Sequence, residues 1–507
     1  MKRYWESILV FLSAFAFFSI FQPWGAFRDP DAFYHAKMSS LLLEKGIIRD
    51  FPWLDLTSLG QHFADQHFLY HALNAPFVYF FGMFQGHQIA SVIFGALFIT
   101  VFFLILKWLQ IKYAFIWTTL LLILPPVIAR LNLGKASPLA MLFFFLGLAG
   151  FIKRSRVALF FVMALYVLTH GGWPMLFAIF VVYSIGEMIY EKYIVEKTWE
   201  DMWRDIRSIQ LPLYGYAIFG AVAGVLMHPY RATLVGFLQT QIISIGVATP
   251  FDQVVLGIEW RPYELSNFLY DFSFLWVTAF ILLYGYIFAR REKIESYVMR
   301  WGIALGLCSA VLLAFTLKSR RFSEYMGPMF VLWFAVLGGA IDWKQMLREF
   351  QKTEKYLRVF LIILCVAAFS RGMWATYDFL HASPRRFDRF APALEIADQY
   401  LQTGDRLFHS NWAQFPELFA HRDTYIYIAG LDPVFLLEAS PGLPHEYTAL
   451  ITGSAQTDPY EVIRNTFGSS IALYEQRSDT DMIQRLKDDD RFEIIFENED
   501  AALFRLR

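Results

Sequence analysis

The chain has 507 residues, 57% hydrophobic and 19% aromatic, with 18% charged residues and a net charge of −1; its mean hydropathy is +0.40. Soluble domains carry about 25% charged residues, so this composition excludes an ordinary soluble protein, and no basic block is long enough to suggest nucleic acid. Charge is also uneven: residues 1–375 are apolar runs separated by short charged clusters, whereas 376–507 has soluble composition.

Lys2 and Arg3 precede an apolar run from Trp5 to about Phe27. It is longer than a signal-peptide core and further runs follow, so it reads as a retained first helix. A membrane helix needs about 20 apolar residues. Candidates are 5–27, 88–108, 113–130, 137–152, 156–170, 173–190, 211–228, 268–289, 300–317, 322–341 and 356–374. Segment 68–84 is apolar too, but carries His71, Asn74 and Pro76. Basic clusters lie at Lys2/Arg3, Lys107/Lys112, Lys153–Arg156, 191–207, Arg290–Lys293 and 344–358. Putting each of them in the cytoplasm satisfies the positive-inside rule only if 68–84 is re-entrant or interfacial. Cys308 and Cys365, far apart inside apolar runs, read as small hydrophobes.

The expected fold is an all-α polytopic membrane bundle of about 11 spans over 1–375, with a long first outer loop at 28–87, followed by a C-terminal extracytoplasmic α/β domain over 376–507. The N-terminus is then cytoplasmic. In the tail, Arg406–His409, Thr424–Ala429, Ser470–Glu475, Arg491–Phe496 and Ala501–Leu506 read as strands. Stretches near 390–402, 412–420, 459–467 and 480–489 read as helices.

The first loop opens with RDPDAFYHAK. Asp31 and His35 are four apart and share one helix face. Such a pair can hold a divalent cation or act as a base with its orienting partner; the plainer reading makes Asp31 an N-cap. Asp29 and Asp31 stand at the membrane exit, and Arg28 beside them suits an anionic ligand. His62, Asp65, His67 and His71 crowd one stretch, without the glutamate that a zinc hydrolase motif requires; interfacial histidines fit equally well. His170–Pro174 is a tight hinge offering an aromatic sugar platform or a belt tryptophan. The 229–267 loop carries Gln239, Gln241, Asp252, Glu259, Arg261 and Glu264, with Glu259 beside Trp260 the preferred acid.

Lys318-Ser319-Arg320-Arg321 lies at an expected outer boundary, where the positive-inside rule disfavours three cations. A phosphate ligand supplies a reason, since guanidinium binds phosphate oxygens in bidentate fashion; lipid headgroups, or an ion pair with Glu324, are the alternatives. Asp31 and the guanidinium groups near 320 are expected to meet in one extracytoplasmic pocket for a phosphorylated lipid.

With these residues in place, the D-x-D after the first span resembles the first acidic motif of the GT-C superfamily of membrane glycosyltransferases. DPDAFYH looks most like that of prokaryotic oligosaccharyltransferase catalytic subunits. The resemblance implies transfer of a sugar or oligosaccharide from a polyprenyl-phosphate-linked donor to an acceptor outside a prokaryotic plasma membrane. It also implies a divalent metal, Mg or Mn, held by acids of several outer loops. Carried over, Asp31 matches the second acid of the motif as metal ligand or catalytic residue, with His35 as its companion ligand. Arg320 or Arg321 would contact the donor phosphate, Glu259 would stand for the acid of a later flexible loop, and Asp29, His35, His170 and Trp412 would line the substrate site.

Two positions depart from the family pattern. The acceptor-reading motif of the oligosaccharyltransferases corresponds to SNWAQFP at 410–416, which keeps Trp412 but has no aspartate. The loop that should carry a second acid reads LNLGKASP, where Lys135 can neutralise donor charge instead. A lipid or glycan transporter or flippase, or a non-catalytic GT-C-like envelope-assembly protein, are the competing classes. Transporters place ionisable groups at mid-span, where this chain has few.

Overall fold

The structure, a computed structural model, describes residues 2–248, 254–451 and 457–507; Asp252 lies outside them. Each of the eleven apolar segments contains a helix, although the first helix stops at Phe21, short of the expected Phe27, and 68–84 contributes a helix at Phe68–Phe81. Five helices are long and apolar enough to cross a membrane: Met83–Trp108, Pro174–Tyr193, Trp199–Met227, Ser296–Lys318 and Lys355–His381. Two bent pairs bring the number to seven among the described residues: Ala114–Leu122 with Pro125–Leu131, bent by 71°, and Leu265–Asp271 with Ser273–Phe288, bent by 67°. Trp5–Phe21, Ser137–Ile152 and Arg156–Thr169 are shorter apolar helices. By the length and composition of these helices the chain is an integral membrane protein.

The chain divides into two compact units: residues 1–22, 90–228 and 259–383 form the first, and 23–89, 229–258 and 384–507 the second. In the first unit, helix packing relies on small residues that let backbones approach, as expected where lipid removes the hydrophobic drive. Helix Leu211–Met227 lies against Arg156–Thr169 through Gly220 and Gly224. A Cβ on Gly220 would fall 2.2 Å from the carbonyl oxygen of Phe160. Pro174–Tyr193 and Ser296–Lys318 meet at Gly186 and Ala304 and are tied by Arg300–Glu187 at 2.7 Å.

The second unit is built on β1 (Ala26–Phe27), β2 (Arg385–Arg386), β3 (Arg406–His409), β4 (Ile426–Tyr427), β5 (Ile471–Glu475), β6 (Phe492–Glu497) and β7 (Ala501–Leu506). β1 and β2 pair antiparallel. The other five form a sheet in the order β4-β3-β5-β7-β6, with β3 parallel to β4 and β5, and β7 antiparallel to β5 and β6. Phe408, Ile428, Phe467, Tyr474, Ile483 and Phe504 fill its core. Each segment expected in the tail contains its strand or helix, but Thr424–Ala429 keeps only Ile426–Tyr427 and 390–402 only Ala391–Ala397; helices Val434–Ala439 and Leu443–Ile451 join them, which the sequence pattern does not reveal.

Residues of the first loop fold onto this sheet domain. Phe51 stacks on Phe63 at 4.4 Å and packs on Phe419. Trp53 Nε1 donates to the Asp423 carbonyl at 2.7 Å, while Lys37 and Lys45 pair with the Asp423 carboxylate. The 229–258 segment joins them: Tyr230 donates to the Ile48 carbonyl and Thr233 to that of Phe63.

Candidate functional site

In the first unit, helix ends gather charge. Pro125-Pro126 interrupts the 113–130 run, because proline lacks the N–H that continues a helix. A new short helix, Pro125–Leu131, starts there and carries Arg130 in its last turn. The next turn contains Lys135 and leads into Ser137–Ile152. Ser296–Lys318 stops at Ser319, whose backbone turns extended, and Arg320–Phe322 forms a single 3-10 turn before Ser323–Leu337. The 259–263 segment is stitched to that turn. Ser319 Oγ donates to the Glu259 carbonyl at 3.0 Å, Arg320 N to that of Arg261 at 3.1 Å, and Arg320 Nε to that of Pro262 at 3.2 Å.

Glu259 is surrounded by cations. Arg130 Nη1 donates to it at 2.8 Å, Arg321 Nη1 at 3.2 Å, and Lys135 Nζ lies 3.8 Å away. Arg130 also donates through Nε and Nη2 to Glu324, at 2.8 Å each. Glu324 is only 2% exposed, Arg130 13% and Glu259 25%. Burial pushes the Glu259 carboxyl upward, but Lys135, Arg321 and Arg130 outweigh it and hold the group well below the usual carboxylate range. Arg321 lies over the Trp260 ring at 4.7 Å and Arg320 over Tyr263 at 5.3 Å, so each guanidinium is oriented by an aromatic face.

His170 closes the same unit's hinge: Gly172 N–H donates to its Nδ1 at 2.8 Å. A Cβ on Gly172 would stand 3.6 Å from the Tyr325 hydroxyl, which itself is 3.4 Å from that of Tyr166. Of the sequence-derived residues, the structure thus brings Lys135, Glu259 and Arg321 together, with Arg320 bracing their segment. Arg130 and Glu324 complete the cluster. Arg130 escaped the sequence reading because it was counted as the end of a span; the Pro-Pro pair was the signal that it belongs to a separate helix.

Asp29, Asp31, His35 and Trp412 belong to the second unit. Asp29 Oδ1 accepts the backbone N–H of Asp31 at 3.0 Å. Pro30 is the N-cap residue, Asp29 tightens the turn before it, and Asp31 is the first-turn acid of helix Asp31–Lys45. One turn on, His35 is buried in a carboxylate–imidazole–imidazole chain. Asp65 Oδ2 meets His71 Nδ1 at 2.7 Å, and His71 Nε2 meets His35 Nδ1 at 2.8 Å. Asp65 fixes a proton on His71 Nδ1, while His71 Nε2 and His35 Nδ1 share one hydrogen bond whose donor is set by the tautomer. Burial raises Asp65, but the charges and hydrogen bonds of His71 and His67 outweigh it and lower its pKa.

Among the described residues, no group of three or more His, Cys, Asp or Glu is placed to hold a metal ion. The Asp31–His35 pair therefore gains no third ligand of that kind, and no step is derived through a metal. Trp412 Nε1 donates to the Val255 carbonyl at 3.0 Å, anchoring the 254–258 segment to the sheet domain. His62 lines a cleft of about 340 Å³ with Ser58, Thr233, Thr240, Phe435 and Glu438.

No protein-family model matches this chain, and no curated protein sequence matches it. Solved structures do resemble it. ArnT from Cupriavidus metallidurans bound to undecaprenyl phosphate superposes with a TM-score of 0.59 at 12% identity, over 98% of this chain and 97% of ArnT. Its apo state gives 0.57. Arabinofuranosyltransferase AftD from Mycobacteria gives 0.60 at 12% identity, over all of this chain but 40% of AftD. Both are GT-C enzymes, and the correspondence with ArnT runs nearly end to end on both sides. This chain has the fold of ArnT and AftD.

Proposed function

We propose that the protein transfers a sugar or oligosaccharide from a polyprenyl-phosphate-linked donor to an acceptor at the outer face of a prokaryotic plasma membrane. The observation that carries this reading is the cluster of Arg130, Lys135 and Arg321 at helix ends within a GT-C fold. Cations held by packing and aromatic faces suit a leaving group whose charge grows on phosphate oxygens. ArnT, similar over its whole length, binds a lipid of this class.

In the proposed reaction an acceptor nucleophile attacks the anomeric carbon, and the bond from that carbon to the phosphate oxygen breaks. The lipid phosphate leaves with the electron pair, stabilised by Arg321, Arg130 and Lys135. The acceptor's proton passes to a carboxylate, for which Asp31 is the assigned residue. Asp29 holds the turn that presents Asp31. Arg320 braces the Arg321 turn.

The test is reconstitution in proteoliposomes with radiolabelled polyprenyl-phosphate sugars and a membrane extract as acceptor source. Wild type should move label off the lipid, and Asp31→Ala and Arg321→Ala should each lose at least about 100-fold. Turnover unchanged in both variants would remove the assignment. Label that crosses the bilayer while still attached to lipid would instead identify a flippase.

A further inference from the structure

A resident carboxylate inside a cluster assigned to an anionic ligand calls for an explanation. Glu259 is the more exposed of the two acids there, and it touches all three cations, at 2.8, 3.2 and 3.8 Å. Glu324, by contrast, is buried and accepts from Arg130 through Nε and Nη2. The two acids therefore do different things. Glu324 orients Arg130, while Glu259, the more exposed acid, bridges Arg130, Arg321 and Lys135.

Its mobility is limited. The backbone carbonyls of residues 259, 261 and 262 accept hydrogen bonds from Ser319 and Arg320. The carboxylate is thus held against the cations by its own main chain as well as by charge. Any phosphate that binds Arg130 and Arg321 does so next to a fixed negative charge.

We infer that Glu259 sets donor specificity, admitting lipid donors with a single phosphodiester and disfavouring those with a diphosphate bridge. This rests on the donor-phosphate reading of the cluster. A sugar-phosphate-lipid diester carries one negative charge and needs only part of the guanidinium surface, leaving Glu259 its remaining contacts. A sugar-diphosphate-lipid carries two, and its second phosphate meets the Glu259 carboxylate. Placing like charges together is an efficient way to reject a competitor that differs by one charge.

The experiment compares two probes sharing lipid and sugar: a short-chain polyprenyl phospho-N-acetylglucosamine and the corresponding diphospho compound. Binding to the full chain in detergent is measured for wild type, Glu259→Gln and Arg321→Ala. Wild type should favour the single phosphate by at least about tenfold. Glu259→Gln, which keeps the shape and removes the charge, should shift that ratio toward the diphosphate by about tenfold. Equal or tighter binding of the diphosphate to wild type overturns the inference without recourse to any variant, so a poorly folding Glu259→Gln does not shelter it. A ratio unmoved by a folded Glu259→Gln also overturns it. If both probes bind, both are weakened by Arg321→Ala and neither is discriminated, the donor site stands and only the selectivity role falls. If neither probe binds wild type, or binding ignores Arg321→Ala, the donor-site reading fails as well.

Discussion

Arg130 donates to two carboxylates at once, and the two bonds differ in consequence. Replacing it with alanine strands Glu324, which is 2% exposed, and a buried charge without its partner costs about 3–5 kcal/mol. Arg130→Ala should therefore lower the thermal midpoint of the detergent-solubilised protein sharply. Arg321, 28% exposed, should lose less than about 1 kcal/mol on the same change, while its donor affinity falls. A pair of variants in which both unfold equally, or neither does, would contradict this division of labour.

Glu259 adds a pH dependence. Its folded pKa lies below that of an unfolded glutamate, so its ion pairs contribute in full above about pH 4.3. Their contribution fades as pH falls through the lower folded value. Thermal midpoints measured from pH 7 down to pH 3 should drop at the acid end, and Glu259→Gln should flatten that drop. In the other unit, Asp65 accepts from both His71 Nδ1 and the His67 N–H. Asp65→Ala should cost about 2–4 kcal/mol by leaving buried donors unmatched. Nitrogen-15 shifts of His71 would show whether its Nδ1–H is lost with it.

At the scale of elements, the Gly220 contact makes a controlled comparison available. Both Gly220 and Gly215 lie in Leu211–Met227, but nothing stands within 4 Å of a Cβ at Gly215. Gly220→Ala should destabilise by about 1–3 kcal/mol through overpacking against Phe160, whereas Gly215→Ala should be neutral or slightly stabilising. Equal effects would mean that the close approach carries no weight. Helix positions were legible because runs such as 88–108 and 300–317 are predominantly apolar over the length of a span, and the tail strands because short apolar stretches such as Ile471–Glu475 stand between polar turns. The bend at Pro125 was legible in principle. The helices Val434–Ala439 and Leu443–Ile451 were not, since segments of six and nine residues hold too few turns to display a period.

For the whole molecule, the hardest thing to read was which distant segments fold together. Lys45 and Trp53 meet Asp423, and Arg406 meets Asp55. Such pairings leave no periodic trace, because each rests on one or two side chains separated by hundreds of residues. Asp31, Glu259, Arg320 and Arg321 are proposed from local chemistry, an acid at a span exit and cations where the positive-inside rule discourages them. The carboxylate–histidine chain was visible only as a crowd of histidines. If 23–89 depends on 384–507 for its packing, ending the chain after Ser383 should expose the first loop. Limited proteolysis should then cut within 45–67, sites protected in the full chain; a truncated protein with the same protection would contradict that dependence.

The short β1–β2 ladder joins Ala26 to Arg386 and Phe27 to Arg385. A ribosome adds about 5–20 residues per second, so residues 26 and 27 are made about half a minute before their partners exist. During that interval Phe27 and Phe33, destined for one small aromatic cluster with Phe387, have been synthesised without their final neighbour. Assembly of this protein at its membrane therefore includes a waiting period, and a factor that shields newly emerged aromatic side chains should raise its yield.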